Sequence, residues 1–165
     1  MSEHATVRTA TNDDVPVVQD VARRSWEAVY EGVLADEVVD AMLEGGYSEA
    51  VLESLVAADE AALFVATVDE EVVGYASAEP TDDGEGKVSV YVDPDHWQAG
   101  IGSLLLDRAC AFLATRGIDR VRDSVLARNE VGNAFYGDHF ERVDERTVEI
   151  AGEEFVANVY AGTTG

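Results

Sequence analysis

The sequence predicts a single mixed α/β domain over residues 1–165, with a mostly antiparallel sheet flanked by helices. Three observations predict it. Residues 62–92 alternate short apolar runs with acidic or glycine turns, the two-residue period of strands. A long amphipathic segment opening at Ile101 lies between two strand-like runs, which makes a strand–helix–strand crossover. Near the C-terminus, "ERVDERTVEI-AG-EEFVANVYA" reads as a hairpin with Ala151-Gly152 at its tip.

Taken in order, "ATVRTA" is a first strand. The stretch "TNDDVPVVQDVARRSWEAVYEGVL" is a helix, with Thr11 or Asn12 as N-cap and Asp13 and Asp14 suited to the dipole of the first turn. Val18, Val21, Ala22, Trp26 and Val29 follow helical spacing. "LADEVVDAML" and "SEAVLESLVAA" are short helices around a turn at Gly45-Gly46. "AALFVATVDEEVVGYASAEP" is two strands joined at Asp69-Glu70-Glu71, "TDDGEG" is a turn, and "KVSVYVDP" is a third strand ending at Pro94. The next helix is expected to bury Ile101, Leu104, Leu105, Ala109, Phe112 and Leu113, and to end at Gly117. "IDRVRDSVLA" is another strand and "EVGNAFYGDHF" a short helix before the hairpin.

At 165 residues with 47% hydrophobic content, the chain can build a sizeable core. No apolar run approaches the ~18 residues of a membrane span. "MSEHATVRTA" has no apolar h-region, so no signal peptide, no membrane partner and a cytoplasmic location are expected. The lone cysteine, Cys110, lies in the apolar helical stripe, where packing rather than reactivity is expected. The charge balance is unusual: 34 acidic against 11 basic residues, a net charge of -23, with Lys87 the only lysine. A scattered acidic coat of this kind suits a salt-rich cytoplasm, where screening removes the self-repulsion. No basic stripe exists to displace counterions, so a nucleic-acid partner is not expected.

The stretch "WQAGIGSLLLDRACAFL" puts Gly100 and Gly102 directly ahead of the amphipathic helix. A helix start presents unpaired N–H groups and a partial positive charge, and glycine lets an anion approach the backbone. A dinucleotide G-x-G-x-x-G is excluded because Leu105 holds the third glycine position, and a P-loop because no G-K-[ST] follows. The wider stretch "VSVYVDPDHWQAGIGSLLLDRACAFLATRG" resembles the acetyl-CoA-binding motif of the GNAT superfamily of N-acetyltransferases. That motif is V-x-P, a short spacer, Q/R-x-x-G-x-G/A and a helix. Trp97 stands at the usual Gln/Arg position, a departure. "ARNEVGNAFYGDHFERV" resembles the later motif N-x-x-A-x-x-F-Y, with Asn129, Phe135 and Tyr136 matching, Gly132 in place of Ala, and a shortened turn at "GDHF".

The resemblance implies the GNAT acyl-CoA N-acyltransferase fold and acetyl transfer from acetyl-CoA to an amine, with no metal. It implies that the backbones of Val90, Tyr91 and Val92 pair with pantetheine and that Gln98, Ala99, Gly100, Ile101, Gly102 and Ser103 take the pyrophosphate. Asn129 is implied to touch the pantetheine arm, or else to act as a plain helix N-cap. Tyr136 is the implied general acid, protonating the CoA sulfur or hydrogen-bonding to it. Arg108 is read as surface rather than as a 3′-phosphate ligand, and His96 and His139 are assigned no catalytic role.

A base is also needed. Deprotonating a lysine-type amine of pKa ~10.4 at pH 7 costs about 4.6 kcal/mol, against about 1–1.4 kcal/mol for an α-amino group. Members acting on protein N-termini often carry Glu five positions before the motif Asn, and here Ser124 holds that position. Glu79, at the end of "VVGYASAEP", is the candidate base. Trp26 and Tyr30, four apart on the first helix, are candidates for the acceptor pocket, with core packing the equal alternative. No spacing supports a metal cluster, C-x-x-C or Ser-His-Asp arrangement. The acceptor itself is not legible, and a homodimer stays open. The rival function is an acyl-CoA-binding sensor without turnover.

Overall fold

A computed structural model describes residues 5–97 and 100–164. Seven strands form one sheet in the order β1-β2-β3-β4-β5-β7-β6. In chain order the elements are β1 (Ala5–Thr9), α1 (Val15–Tyr30), α2 (Asp36–Tyr47), α3 (Glu49–Ala57), β2 (Ala62–Val68), β3 (Glu71–Pro80), β4 (Gly86–Val92), α4 (Ile101–Thr115), β5 (Arg120–Leu126), α5 (Glu130–His139), β6 (Glu141–Ile150) and β7 (Glu153–Thr163). Every neighbouring pair is antiparallel except β4 and β5, which the α4 crossover joins in parallel. No helix among the described residues is long and apolar enough to cross a membrane.

Strand alternation divides the core in two. Leu63, Val65 and Tyr75 face α1, α2 and α3, packing with Val18, Val21, Trp26, Val38 and Leu52. Phe64, Ala66, Ala76, Val88 and Val121 face α4 on the other side. β2 is buried on both faces, which is why its sequence reads as a continuous apolar run. The buried stripe of α4 is Ile101, Leu105, Leu106, Ala109, Cys110 and Leu113. The expected stripe is thus rotated: Leu104 is 45% exposed and Phe112 only partly buried. Burial pushes the Cys110 thiol up to about 11, as an inert packing residue requires.

The turn expected at Gly45-Gly46 lies instead at Ser48, whose Oγ accepts from Val51 N–H at 3.3 Å and caps α3. α2 continues through the glycines because its last residue, Tyr47, packs edge-on against Trp26 and Tyr75. Gln19 Nε2 also donates to the Tyr47 carbonyl at 3.1 Å. These contacts override glycine's helix penalty of ~1 kcal/mol per residue. Asp14 does not simply serve the helix dipole. It pairs with Arg8 through both oxygens (2.7 and 3.0 Å) and accepts from Thr11 N–H, and the Arg8 guanidinium holds its carboxyl below the usual range.

The feature that makes room for a site is the brevity of the parallel pairing. β4 meets β5 only at Gly86↔Val121 and Lys87↔Arg122, and beyond that the two strands part. β5 stays bonded to β7 along its whole length, and β4 to β3. The sheet therefore splits into two blades with a wedge between them.

The acid excess yields a first prediction. At 0.1 M salt the Debye length is ~10 Å, long enough for neighbouring surface carboxylates to repel; at 2 M it falls below ~3 Å. Raising KCl from 0.1 to 2 M is expected to raise Tm by roughly 5 °C or more, followed by circular dichroism. An unchanged or lower Tm would refute this account of the coat.

Candidate active site

The wedge is held open at the C-terminal end of β4. Asp93 is buried, and its carboxylate pairs with Arg24 of α1 at 2.6 Å and accepts from Asp95 N–H at 3.0 Å. The Val92 carbonyl accepts from Ser25 Oγ (3.0 Å) and from Trp97 Nε1 (2.8 Å). Trp97 is irregular in the motif, and its indole tethers the glycine turn to β4. Asp93 N–H donates to the Val73 carbonyl at 2.7 Å. By strand alternation the odd-numbered residues of β4 aim their backbone at β3, and Val88, Val90 and Val92 aim theirs into the wedge. The Tyr91 backbone, expected to pair with pantetheine, faces β3, and the backbones of Val90 and Val92 face the wedge. With the Val92 carbonyl already engaged, Val90 carries most of the open backbone.

Beyond the turn, Gly100 caps α4 in the left-handed region (φ 81). A Cβ there would meet nothing within 4 Å, so the backbone angle is what calls for glycine. The first helical bond runs from Leu104 N–H to the Gly100 carbonyl, which leaves the N–H groups of Ile101, Gly102 and Ser103 without intrahelical partners. At Gly102 a Cβ would lie 2.9 Å from the Phe135 ring. Ser103 Oγ lies 3.0 Å from His139 Nε2, and His139 Nδ1 lies 2.9 Å from the Phe135 carbonyl. A carbonyl only accepts, so Nδ1 donates to it, and Nε2 shares the second hydrogen bond with the Ser103 hydroxyl. His139 therefore orients the Ser103 hydroxyl at the helix start. Gln98 and Ala99 lie outside the described residues.

These groups line a cavity of about 570 Å³, with Val90, Tyr91, Val92, Gly100, Ile101, Gly102, Ser103, Asn129 and Tyr136 all in its wall. A second cavity of about 580 Å³ opens on the other side of the wedge, lined by Trp26, Tyr30, Tyr47, Tyr91 and Asp123 among others. Tyr91, Val125 and Asn129 line both. Trp26 and Tyr30 are also buried, so lining and packing coincide. Arg108 lies away from the first cavity, its guanidinium 5.0 Å from the Phe64 ring centre.

Asn129 is the N-cap of α5, accepting from Gly132 N–H at 2.7 Å. A Cβ on Gly132 would come within 2.6 Å of Asn129 Nδ2, which explains glycine in place of the family's alanine. One turn on, Asn133 Nδ2 donates to the Asn129 and Leu126 carbonyls, while its Oδ1 accepts from Asn158 and Tyr160 at 2.8 Å. This buried network locks α5 to β5 and β7.

Two residues meet where the blades part. Tyr136 is 3% exposed, and its hydroxyl has no hydrogen-bond partner in the protein. Burial, then the neighbouring Asp123 carboxylate, hold its pKa well above 10.0. Asp123 is buried on β5, and burial lifts its carboxyl to about 7, with Tyr136 the strongest of the neighbours opposing the rise. The motif does not single out Asp123, because the family position falls on Ser124. A signal is nonetheless present: in "RVRDSVL" the aspartate occupies the same strand face as Val121 and Val125. Glu79 is not brought to the wedge. It is partly buried, stands opposite Lys87 in the β3–β4 register, and lines neither cavity. Among the described residues no group of three or more His, Cys, Asp and Glu gathers as metal ligands do.

A split sheet with a helix start, open strand backbone and a buried phenol facing one groove is the architecture expected of an acyl-CoA N-acyltransferase. The chain belongs to the GNAT acetyltransferase family, whose model matches residues 23–140. It is therefore an N-acetyltransferase that uses acetyl-CoA. Over 134 residues it is 25% identical to spermidine N(1)-acetyltransferase of Thermoplasma acidophilum, covering 79% of this chain and 83% of the relative. The structure of PaiA N-acetyltransferase from Thermoplasma acidophilum in complex with coenzyme A superposes with a TM-score of 0.79 at 22% identity, over 94% of this chain and 98% of that one. The ribosomal-protein-S18-alanine N-acetyltransferase from Escherichia coli follows at 0.72 and 19%, over 98% and 95%.

A titration prediction follows from Asp123. Its folded pKa lies above its unfolded value, so the folded state holds the proton more tightly. Stability is greatest below the unfolded value of 3.8 and falls as pH rises to about 7, by ~4 kcal/mol in all. Asp123→Asn is expected to be more stable than the wild type at pH 8 and about equal to it at pH 4, by urea denaturation. Equal stability at pH 8 would show that the carboxyl is not held in a costly state.

Proposed function

We propose that this protein transfers the acetyl group of acetyl-CoA directly to a primary amine held in the second cavity, with Asp123 as general base and Tyr136 holding the leaving sulfur. The observation that carries this reading is the junction of the two cavities, where Asp123 lines the acceptor side and Tyr136 the donor side. Acetyl-CoA supplies a thioester carbonyl that an amine attacks, forming the C–N bond and breaking the C–S bond. The N–H groups of Ile101, Gly102 and Ser103 receive the pyrophosphate, with the Ser103 hydroxyl beside them, and Val90 pairs with the pantetheine amide.

Asp123 accepts a proton from the ammonium group of the acceptor, directly or through one water. With its pKa near 7, it is matched to an α-amino group far better than a carboxylate of ordinary pKa would be. Tyr136 donates a hydrogen bond to the departing thiolate. Its pKa lies above that of a free thiol, ~8.5, so stabilisation in place is favoured over complete proton transfer. After C–N bond formation the nitrogen gives up its second proton, which passes to the thiolate so that CoA leaves as thiol, and Asp123 returns the first proton to solvent. Asp123 supplies the base that Ser124 does not, which supports turnover over an acyl-CoA-binding sensor.

Three variants test the assignment. Asp123→Asn is expected to lower kcat at least 100-fold and to remove the rise of kcat with pH through about 7. Tyr136→Phe should lower kcat roughly 10- to 100-fold with little change in acetyl-CoA KM, the loss of one hydrogen bond to a charged group. Glu79→Gln should stay within about twofold of wild type. A large loss in Glu79→Gln with Asp123→Asn unaffected would return the base to Glu79. Failure to bind CoA in calorimetry would overturn the reading altogether.

A further inference from the structure

The second cavity gathers cations in a chain that has few of them. Of 11 Lys and Arg residues in the chain, three line it: Lys87, Arg122 and Arg146. Lys87 is the only lysine in the sequence. Among the described residues the cavity wall holds one carboxyl, Asp123. Carboxylates do stand near the cations: Arg122 pairs with Asp83 and Glu85, and Glu79 faces Lys87 across the strands. These three acids lie outside the wall, and no salt bridge is formed by Lys87 or Arg146 among the described residues. In a protein of net charge -23, a cavity lined by three cations is not a sample of the average surface.

The cations and the aromatic residues also occupy different levels. Trp26 and Tyr30 are buried, whereas Lys87 and Arg146 are exposed and Arg122 is half-buried. Lys87 and Arg122 stand side by side where β4 and β5 are last paired. The ammonium of an acceptor therefore goes inward, to the aromatic rings and Asp123 beside the wedge, and its other end lies toward the basic rim.

Resting on the acetyl-transfer reading above, we propose that the acceptor is a small amine that also carries an anionic group, a carboxylate or a phosphate, bound by Lys87, Arg122 and Arg146. A polyamine such as the spermidine of the Thermoplasma relative would set its distal ammonium groups against the three cations of the rim, which is repulsive. A carboxylate or phosphate there gains charge-assisted hydrogen bonds instead. Size supports a small molecule, since a cavity of about 580 Å³ is in the range of ordinary ligand pockets.

The experiment is a steady-state panel with acetyl-CoA in 0.15 M KCl: the common amino acids and O-phosphoethanolamine, each against its neutral counterpart (amide or ethanolamine), with spermidine alongside. The expected result is that kcat/KM for at least one anionic amine exceeds that of its neutral counterpart and of spermidine by tenfold or more. Arg146→Gln should then raise KM for that acceptor about tenfold without lowering kcat; Lys87→Gln should raise KM as much and also move the pH profile of kcat upward, because Lys87 lowers the pKa of Asp123, with Lys87→Arg retaining most of the affinity and the wild-type profile. Carboxylate and phosphate arms separate the two sources of charge. If spermidine or the neutral amines are used as well or better, the proposal is overturned while acetyl transfer stands. If CoA binds but no amine in the panel is acetylated, the proposal is likewise overturned. Failure to bind CoA would remove the transferase reading itself, so the two failures are distinct.

Discussion

The parting of β4 from β5 after two paired residues is the constraint on which the site depends. A fully paired sheet would have no open strand backbone, no passage between the two cavities and no place for a buried carboxylate between blades. The parting is enforced from both sides. Arg24 with Asp93, and Ser25 and Trp97 on the Val92 carbonyl, hold the end of β4 to α1 and the glycine turn. Asn133 with Asn158 and Tyr160 holds β5 to α5 and β7. These anchors fix each blade to its own helix and leave the backbone of Val90 open between them.

That geometry also sets the electrostatics. Asp123 sits among apolar and aromatic neighbours with a single cation, Lys87, lowering its pKa, so it titrates near neutrality instead of remaining an ordinary carboxylate. Tyr136 experiences the same burial with the opposite chemical consequence, because a phenol made harder to ionise remains a donor. The arrangement holds a carboxyl of raised pKa and a protonated phenol beside each other. It is unfavourable for folding, and the rigid polar network of α5 helps to maintain it.

Much of the fold was legible because local rules and tertiary packing agree there. The hairpin at Ala151-Gly152, the end of α4 after Thr115 and the strand periods of residues 62–92 follow from turn chemistry and alternation. The glycine pair in α2 misled because the contacts that keep it helical come from Trp26 and Tyr75, distant in sequence. Leu104 and Leu106 are indistinguishable by composition, and only the angle at which α4 lies on the sheet selects between them. The donor groove was legible as a motif, since backbone N–H groups need only glycine and a helix start. The base was not. A carboxylate is activated by its surroundings, and the surroundings of Asp123 come from β4, β5 and α5 together.

The two tryptophans have a practical consequence. Trp97 lies in the wall of the donor groove and Trp26 in the wall of the acceptor cavity, and the chain contains no others. Each half of the site thus contains its own intrinsic fluorophore. Replacing Trp26 by phenylalanine leaves Trp97 and its bond to Val92 in place as a single emitter in the wall of the proposed donor groove, so arrival of acetyl-CoA there becomes visible without any added label.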